Sequence, residues 1–223
     1  MTNLVIFDID GTLLNAKGAG RRALEDAFAT YHGISDAFSG VSFAGETDLA
    51  LIQQAAQRHQ LPMSDQDWLA LKELFLTNLQ IELDKAPGYV MPGLPDILFR
   101  LQYEGLYLAL GTGNFKATGY LKLAQFGLAG FFPVGGFGES GPSRRDVIAG
   151  AIKAATSHYH ISPDRITLIG DTPLDIDAAR FNHIRSIGVA SGPYSLDDLA
   201  KHHPEILLPD LSDETRIMDA LTS

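Results

Sequence analysis

The chain has 223 residues, of which 45% are hydrophobic and 20% charged, a composition typical of a globular domain rather than a disordered or membrane-spanning chain. Its formal net charge is −10 and its longest basic runs are the pairs Arg21–Arg22 and Arg144–Arg145, so nucleic acids and anionic membranes are not expected partners. Cysteine is absent, which excludes disulfide bridges, thiolate zinc sites and a thiol nucleophile.

The N-terminal stretch MTNLVIFDIDG has no basic segment, and Asp8 and Asp10 interrupt its apolar run. It therefore does not match a signal peptide. No stretch approaches the 18 uncharged apolar residues expected of a membrane-spanning helix. We expect a cytoplasmic protein that is a monomer or a homodimer.

Short apolar runs rich in β-forming residues predict the strands of a parallel sheet, because a strand that is buried on both faces is apolar throughout. Four such runs, each followed by small and polar residues, lie at residues 4–7, 106–110, 166–169 and 186–190. Helical patterns separate the later runs, at residues 116–126, 145–157 and 174–181. This alternation predicts an α/β fold with a doubly wound parallel sheet.

Residues 16–87 interrupt the alternation of strands and helices. Amphipathic patterns at residues 19–31, 48–59 and 65–83 predict three helices with no convincing strand among them. We expect two domains: an α/β core of residues 1–15 and 88–223, and a small all-helical domain of residues 16–87 inserted after the first strand. Gly and Pro near both junctions allow turns and a hinge.

Polar residues collect where the predicted strands end, which is where ligands bind in an open parallel sheet. These residues are Asp8, Asp10, Thr12, Thr112, Asn114, Asp171 and Asp175. Four carboxylates on one rim repel each other unless a cation lies among them, and hard oxygen ligands favour Mg²⁺. The same rim can then accept a phosphate group, which backbone N–H groups at Gly11 and Gly113 would also hold.

Asp8 and Asp10 suit two successive roles in phosphoryl transfer. A carboxylate held at a metal ion is a poor base but can attack phosphorus, and a second carboxylate can protonate the leaving oxygen and then activate water. Residues i and i+2 of an extended strand point to the same side, so both side chains are predicted to face one ligand. Thr112 offers a hydroxyl to a phosphate oxygen, and a cation is still needed to hold nucleophile and phosphate together.

Three segments resemble motifs of the haloacid dehalogenase-like phosphatases. DIDGTL at residues 8–13, TGN at residues 112–114 and GDTPLD at residues 170–175 are similar, in sequence and in order, to the first, second and fourth motifs of that superfamily. The helical insertion lies where the branch of phosphoglycolate phosphatase and β-phosphoglucomutase carries its cap domain. The resemblance covers nearly the whole chain and implies a Rossmann-like core with a helical cap.

The resemblance implies a role for each motif residue. Asp8 would be the nucleophile, Asp10 the general acid and base, and Thr112 a phosphate ligand. Mg²⁺ would be held by Asp8, by the main-chain carbonyl of Asp10 and by Asp171, and Asp175 would complete the metal site as an outer-sphere support. The remaining residues predicted to bind substrate phosphate are Gly11, Thr12, Gly113 and Asn114.

The third motif departs from the family pattern, which has a Lys followed by Pro before the fourth strand. The corresponding segment here, SGPSRRD at residues 140–146, contains no Lys. Arg144 is our first candidate for the missing cation, Arg145 the second and Lys116 the third. An Arg supplies the positive charge with a different geometry from Lys. Arg145 is rotated by about 100° from Arg144 on a helix and is predicted to point away.

Other polar features have ordinary structural interpretations. The segment FAGETD at residues 43–48 resembles the cap loop that faces substrate in related phosphatases, but Thr47 or Asp48 also fits a helix N-cap, which we favour slightly. The histidines at positions 158, 160, 202 and 203 lie in polar segments without a matching set of metal ligands. We expect them at the surface.

The favoured function is a Mg²⁺-dependent phosphatase that hydrolyses a small phosphorylated metabolite through an aspartyl-phosphate intermediate. A phosphomutase of the β-phosphoglucomutase type is the enzymatic alternative, in which a sugar hydroxyl replaces water. A haloacid dehalogenase needs neither Asp10 nor a metal, and a phosphonate hydrolase needs a cap lysine, for which Lys17 is the only nearby candidate. A non-catalytic, phosphorylation-responsive module also has acidic residues, a Thr and a cation at strand ends, but the helical insertion and the second Asp argue against it.

Overall fold

The computed structural model describes residues 2–222. Its elements in chain order are β1 (Asn3–Phe7), β2 (Leu14–Asn15), α1 (Ala19–His32), α2 (Asp48–Arg58), α3 (Asp65–Lys85), β3 (Tyr89–Val90), α4 (Asp96–Tyr103), β4 (Tyr107–Gly111), α5 (Lys116–Gln125), β5 (Gly135–Gly136), α6 (Arg144–Tyr159), β6 (Arg165–Gly170), α7 (Pro173–Phe181), β7 (Arg185–Val189), α8 (Leu196–Ala200), β8 (Ile206–Leu208) and α9 (Glu214–Thr222). Within residues 2–222, none of these helices has the length and apolar character needed to cross a membrane.

Six parallel strands form the central sheet in the order β5-β4-β1-β6-β7-β8. If only the strands of this sheet are counted along the chain, the order is 3-2-1-4-5-6, which is the doubly wound, Rossmann-like arrangement. The predicted fold class is confirmed. The strand order reverses between β1 and β6, so a crevice opens beyond the carboxyl ends of these two strands, where such folds bind ligands.

The first strand lies at the centre of this sheet and is buried on both faces. Its side chains alternate between two apolar clusters, with Val5 and Phe7 in the larger one and Leu4 and Ile6 in the smaller one. All four residues are at most 1% exposed. This two-sided burial is what the continuous apolar run of the sequence predicted, and it fixes the position at which the chain reaches Asp8.

The helices α1, α2 and α3 lie between the two short strands of an antiparallel ribbon, in which β2 pairs with β3. Leu14 pairs with Val90 and Asn15 with Tyr89. The helical insertion predicted for this part of the chain is observed, with helix ends within two residues of the predicted ones. We propose that the ribbon marks the boundary between the core of residues 1–15 and 88–223 and the cap of residues 16–87.

Gly88 lies beside this ribbon, where the chain returns to the core. Gly88 has φ of +87°, and a Cβ there would lie 2.0 Å from the carbonyl oxygen of Asn15. Gly33, which ends α1, has a similar φ of +70°, but a Cβ at that position would meet no neighbouring atom within 4 Å. The two glycines therefore share the backbone requirement and differ in the space around them.

We expect Gly88→Ala to be much more destabilising than Gly33→Ala. The left-handed backbone alone should cost each variant about 1–2 kcal/mol of unfolding free energy. The methyl group at position 88 adds a clash with backbone that cannot move away freely, so its loss should be larger by at least about 1 kcal/mol. Urea denaturation of the two variants measures the difference, and equal losses would show that the ribbon adapts to the methyl group.

Candidate active site

A cavity of about 500 Å³ lies beyond the strand ends, between the sheet and the helical insertion. Sequence-predicted residues that line it are Asp8, Asp10, Gly11, Thr112, Gly113, Asn114, Arg144 and Asp171. The insertion contributes further lining residues, among them Gly20, Arg21, Phe43 and Asp48. Thr12 is fully buried and donates a hydrogen bond from its hydroxyl to Asp171 Oδ1 at 3.2 Å, so its side chain supports Asp171.

Asp8 and Asp10 share this cavity for a reason that differs from the sequence interpretation. The strand β1 ends at Phe7, so the two residues do not lie in an extended strand. Asp10 instead forms an isolated bridge with Leu14, and Gly11 follows with φ of +86°. The tight loop, rather than the two-residue strand period, therefore presents both carboxylates to the cavity.

Arg144 joins two of the predicted acidic residues. Its Nη2 lies 2.5 Å from Asp8 Oδ1 and 2.6 Å from Asp175 Oδ1, and its Nε donates to Asp175 Oδ1 at 2.8 Å. The three side chains are at most 7% exposed. Burial alone would lower the pKa of Arg144, but the charges of Asp175 and Asp8 raise it, so the guanidinium stays positive. The structure places Arg144 in the first turn of α6, directly at the nucleophile candidate.

The other basic candidates for the third motif lie elsewhere. Arg145 is exposed and its guanidinium carbon lies 4.8 Å from the centre of the Phe181 ring. Lys116 is exposed and does not line the cavity, and the same holds for Lys17, the cap lysine considered for a phosphonate hydrolase. The side chain of Arg144 is therefore the candidate that reaches Asp8.

The carboxylates of Asp8, Asp171 and Asp175 form a compact buried cluster. One oxygen of each lies within 4.8 Å of the others. Burial raises the pKa of Asp8 to about 6, with the Arg144 charge opposing this shift and the Asp175 charge adding to it. Burial also raises the pKa of Asp171 well above its ordinary value, and the charges of Asp8 and Asp175 add to this effect. One guanidinium does not balance three buried carboxylates, so the site electrostatically favours a further cation.

The donor set of this cluster fits a hard divalent cation. Carboxylate oxygens are the ligands that Mg²⁺ prefers, and Asp8 and Asp171 both line the cavity. Asp175 is different because its Oδ1 faces Arg144 and its Oδ2 accepts hydrogen bonds from the Thr172 hydroxyl and N–H at 2.8 and 3.1 Å. Asp175 also lies outside the cavity lining, a position that suits support of the site from behind.

Thr112 and Asn114 follow β4 and are hydrogen-bonded to each other. The Thr112 hydroxyl accepts hydrogen bonds from Asn114 Nδ2 at 2.7 Å and from the Asn114 N–H at 3.3 Å. Asn114 Nδ2 also donates to Asp10 Oδ2 at 2.8 Å. The loop after β4 is therefore hydrogen-bonded directly to the loop after β1.

Lys122 is a site residue that our sequence reasoning missed. Its Nζ lies 2.6 Å from Asp10 Oδ2 and 2.7 Å from Asn114 Oδ1, and it lines the cavity. The signal was present, because Lys122 belongs to the stripe of α5 that also carries Thr118, Gly119 and Leu123, all buried. A charged residue inside a helical stripe of small and apolar residues indicates a buried partner of opposite charge.

The helical insertion touches the site through the start of α2. Thr47 is the N-cap of α2, accepting a hydrogen bond from Ala50 N–H, and its hydroxyl also donates to the Pro142 carbonyl at 3.1 Å. The helix-cap interpretation therefore holds for Thr47. Asp48 has another role, because its carboxylate accepts hydrogen bonds from Phe115 N–H at 2.7 Å and from the Thr118 hydroxyl at 3.2 Å.

Asp48 thus caps α5 from across the interface. Phe115 is the N-cap residue of α5 and offers no side-chain cap of its own, so the carboxylate of Asp48 takes that place. The Asp48 N–H in turn donates to the Gly113 carbonyl at 2.8 Å. Burial raises the pKa of Asp48 to about 6, and the Lys122 charge opposes the shift. The insertion is therefore hydrogen-bonded to the loop that carries Thr112 and Asn114.

The buried acidic cluster lies at the switch point of a doubly wound sheet, which is where such α/β folds bind their ligands. A family model for haloacid dehalogenase-like hydrolases matches residues 2–181. The probable phosphatase IndB of Dickeya dadantii (strain 3937) is 27% identical, covering 99% of this chain and 95% of the relative. A phosphoglycolate phosphatase of Agrobacterium fabrum is 25% identical, covering 95% of this chain and 90% of the relative. The crystal structure of a hydrolase from Pseudomonas syringae has a TM-score of 0.73 at 19% identity and covers 100% of both chains.

Because the family match extends over most of its length, the chain belongs to the haloacid dehalogenase-like hydrolase family. The family resemblance inferred from the three motifs is confirmed, and so is the prediction of an enzyme. The solved structure supports the fold alone, since its sequence identity to this chain is low.

We expect Asp48→Ala to destabilise the protein more than Asp48→Asn. Alanine leaves the Phe115 N–H without its acceptor, which should cost about 1–3 kcal/mol of unfolding free energy. Asparagine keeps an acceptor oxygen and removes the buried charge, so its loss at neutral pH should stay below about 1 kcal/mol. Urea denaturation of both variants measures these losses, and equal values would contradict the capping role.

A pH series on the wild type and Asp48→Asn provides the control. The pKa of Asp48 is raised from 3.8 to about 6, so the folded chain binds this proton more tightly than the unfolded chain does. The stability that the group contributes is then fully present below its unfolded pKa and is lost as the pH rises through about 6. The stability of the wild type relative to Asp48→Asn should therefore fall over that range, and a constant difference would contradict the raised pKa.

Proposed function

We propose that the protein is a Mg²⁺-dependent phosphatase that hydrolyses a small phosphorylated metabolite through an aspartyl-phosphate on Asp8. The observation that carries this proposal is the ion pair of buried Asp8 with Arg144, in a cavity that Asp10 and Asp171 also line. A nucleophilic carboxylate, a second carboxylate and a cation site then meet at one cavity. The relatives named as phosphatases support this choice of reaction.

The metal would be held by the carboxylates of Asp8 and Asp171 and by the main-chain carbonyl of Asp10, with Asp175 behind them. When bound there, Mg²⁺ would offset the negative charge of the phosphate and of the carboxylates, so that the two can approach. Arg144 would also offset this negative charge, because its guanidinium already contacts Asp8.

The backbone N–H group of Gly113 and the hydroxyl of Thr112 are proposed to bind the phosphate. Gly11 and Asn114, also predicted phosphate ligands, already use their donors in this structure: the Gly11 N–H donates to the Leu14 carbonyl at 2.8 Å, and Asn114 Nδ2 donates to Asp10 and Thr112.

The chemistry divides between two carboxylates. An Asp8 oxygen attacks phosphorus, and the bond from phosphorus to the leaving oxygen breaks while Asp10 gives that oxygen a proton. A water molecule then attacks the phosphorus, Asp10 takes a proton from it, and the bond between Asp8 and phosphorus breaks to release inorganic phosphate. The side chain of Asp10 is 44% exposed, so it can reach both the leaving group and water in the cavity.

The helical insertion limits the size of the substrate and access of water. The cavity of about 500 Å³ is bounded on that side by residues that include Phe43 and Leu51. A small monoester fits this volume, and exclusion of bulk water strengthens the electrostatic contacts within the site. We propose that the cap of residues 16–87 opens at the ribbon to exchange substrate and product.

We expect the wild type with Mg²⁺ to release inorganic phosphate from members of a panel of phosphorylated sugars, phosphoglycolate and nucleotides, and EDTA to abolish this activity. Asp8→Asn should lose at least about a hundredfold in kcat, because an amide does not attack phosphorus at a useful rate. Asp10→Asn should retain labelled phosphate on the protein, since the base that activates water is lost. Transfer of phosphate to a sugar hydroxyl instead of water would indicate the mutase.

We expect Arg144→Ala to lose about a hundredfold in kcat/KM, equivalent to roughly 2.7 kcal/mol of transition-state stabilisation. Arg145→Ala is the matched control, because the neighbouring Arg145 is exposed and stacks on Phe181. Its kcat/KM should change by less than about threefold. Thermal unfolding of each variant separates misfolding from loss of catalysis, and similar kinetic losses in both variants would contradict the placement of the cation.

A further inference from the structure

Lys122 carries a buried charge, which is unusual enough to require an explanation. The whole residue is 4% exposed, and a lysine is rarely buried without a partner for its charge. The helix α5 delivers its ammonium group to Asp10 Oδ2 at 2.6 Å and to Asn114 Oδ1 at 2.7 Å. The family motifs quoted from the sequence assign no role to this position. The reaction proposed for Asp8 and Asp10 does not require Lys122 to touch the substrate.

The two oxygens of Asp10 have different surroundings. Oδ2 receives two donors, Lys122 Nζ at 2.6 Å and Asn114 Nδ2 at 2.8 Å. Over residues 2–222, no hydrogen-bond donor is found on Oδ1. The side chain as a whole is 44% exposed toward the cavity. Hydrogen bonds therefore hold Oδ2 of the carboxylate in place, whereas Oδ1 is left available to the cavity.

We propose that Lys122 is a positioning residue, which with Asn114 fixes the carboxylate of Asp10 so that Oδ1 carries the transferred proton. This inference rests on the proposed phosphatase function. The χ2 torsion of an aspartate is intrinsically broad, so an unanchored carboxylate would sample many orientations. Proton transfer requires a donor within hydrogen-bond reach of the leaving oxygen, and a displacement of about 1 Å can cost roughly a hundredfold in rate.

The helical insertion covers Lys122 from the other side. Gly20, the second residue of α1, also lines the cavity, and a Cβ at this position would lie 3.2 Å from Lys122 Nζ. Glycine is unfavourable inside a helix, but here it lets the backbone of α1 approach the ammonium group closely. The approach of α1 and the contacts with Asp10 and Asn114 together hold the lysine in one place.

The test uses the different need of two leaving groups for a proton. The phenolate released from p-nitrophenyl phosphate is a weak base and leaves without much help, whereas the alkoxide of phosphoglycolate requires protonation by Asp10. Leaving-group release is measured in a single turnover with enzyme in excess, so hydrolysis of the phosphoenzyme does not mask it. The variants are Lys122→Met, Asp10→Asn, their combination, and Lys153→Met, which replaces an exposed lysine of α6.

We expect Lys122→Met to slow release from phosphoglycolate by about a hundredfold and release from p-nitrophenyl phosphate by less than about fivefold. Asp10→Asn should show the same dependence on the leaving group. Adding Lys122→Met to Asp10→Asn should cause less than about a twofold further loss, because two residues that act through one group are not additive. Lys153→Met should behave like the wild type with both esters.

Three results would overturn the inference. Equal losses with both esters would show that Lys122 acts generally rather than through the proton donor. A raised KM with unchanged release would make Lys122 a substrate-binding cation, since its ammonium has a third N–H to offer. An undiminished effect of Lys122→Met in the Asp10→Asn background would show independent action. Lys122→Gln replaces Lys122→Met if thermal unfolding shows that the methionine variant does not fold.

The experiment also separates this inference from the function on which it rests. Turnover of both esters by the wild type, with any of these three results, removes only the role of Lys122. If the wild type does not act on phosphoglycolate, the alkyl phosphate of the panel that it hydrolyses fastest takes its place. Failure of the wild type with p-nitrophenyl phosphate and with every member of the panel, with Mg²⁺ present, overturns the phosphatase function and the positioning role together.

Discussion

The burial of negative charge at one end of the sheet is the constraint on which the rest of the site depends. Asp8, Asp171 and Asp175 lie within a few ångströms of one another and are almost completely inaccessible to solvent. A buried carboxylate is costly unless it is paired and hydrogen-bonded, and loss of one partner leaves an uncompensated charge. Arg144, at the start of α6, supplies a positive charge to these carboxylates. A metal ion would bind on the side that faces the cavity.

A second charge pair, at Asp10 of the same loop, repeats this arrangement. Lys122, delivered by α5, faces Asp10 just as Arg144 faces Asp8 and Asp175. The two helices follow different strands of the sheet, so the loop after β1 obtains its two cations from two different βα units. The two charge pairs consequently depend on the register of the sheet, and the packing of β1 between β4 and β6 is what brings them together.

The sequence predicted the parts of this arrangement that have a clear period or lie at a strand end. The four longer strands were visible as apolar runs, but β5 consists of two glycines and β8 of three residues, which are too short for a pattern. Lys122 escaped notice because one lysine on an amphipathic helix is usually solvated. The cross-interface role of Asp48 was hidden for a different reason, since its partner Phe115 is distant in sequence.

The close approach of Gly20 to Lys122 also bears on how separable the two parts of the molecule are. The ammonium group is carried by α5, but the backbone that lies against it belongs to the insertion, and a Cβ on Gly20 would make a close contact of 3.2 Å with Lys122 Nζ. A change on one side of this contact, in the insertion or at the lysine, therefore affects the other side. In a chimaera built on this core, a first helix with a side chain at this place would have to displace the end of the lysine by a few tenths of an ångström, and with it the partner of Asp10.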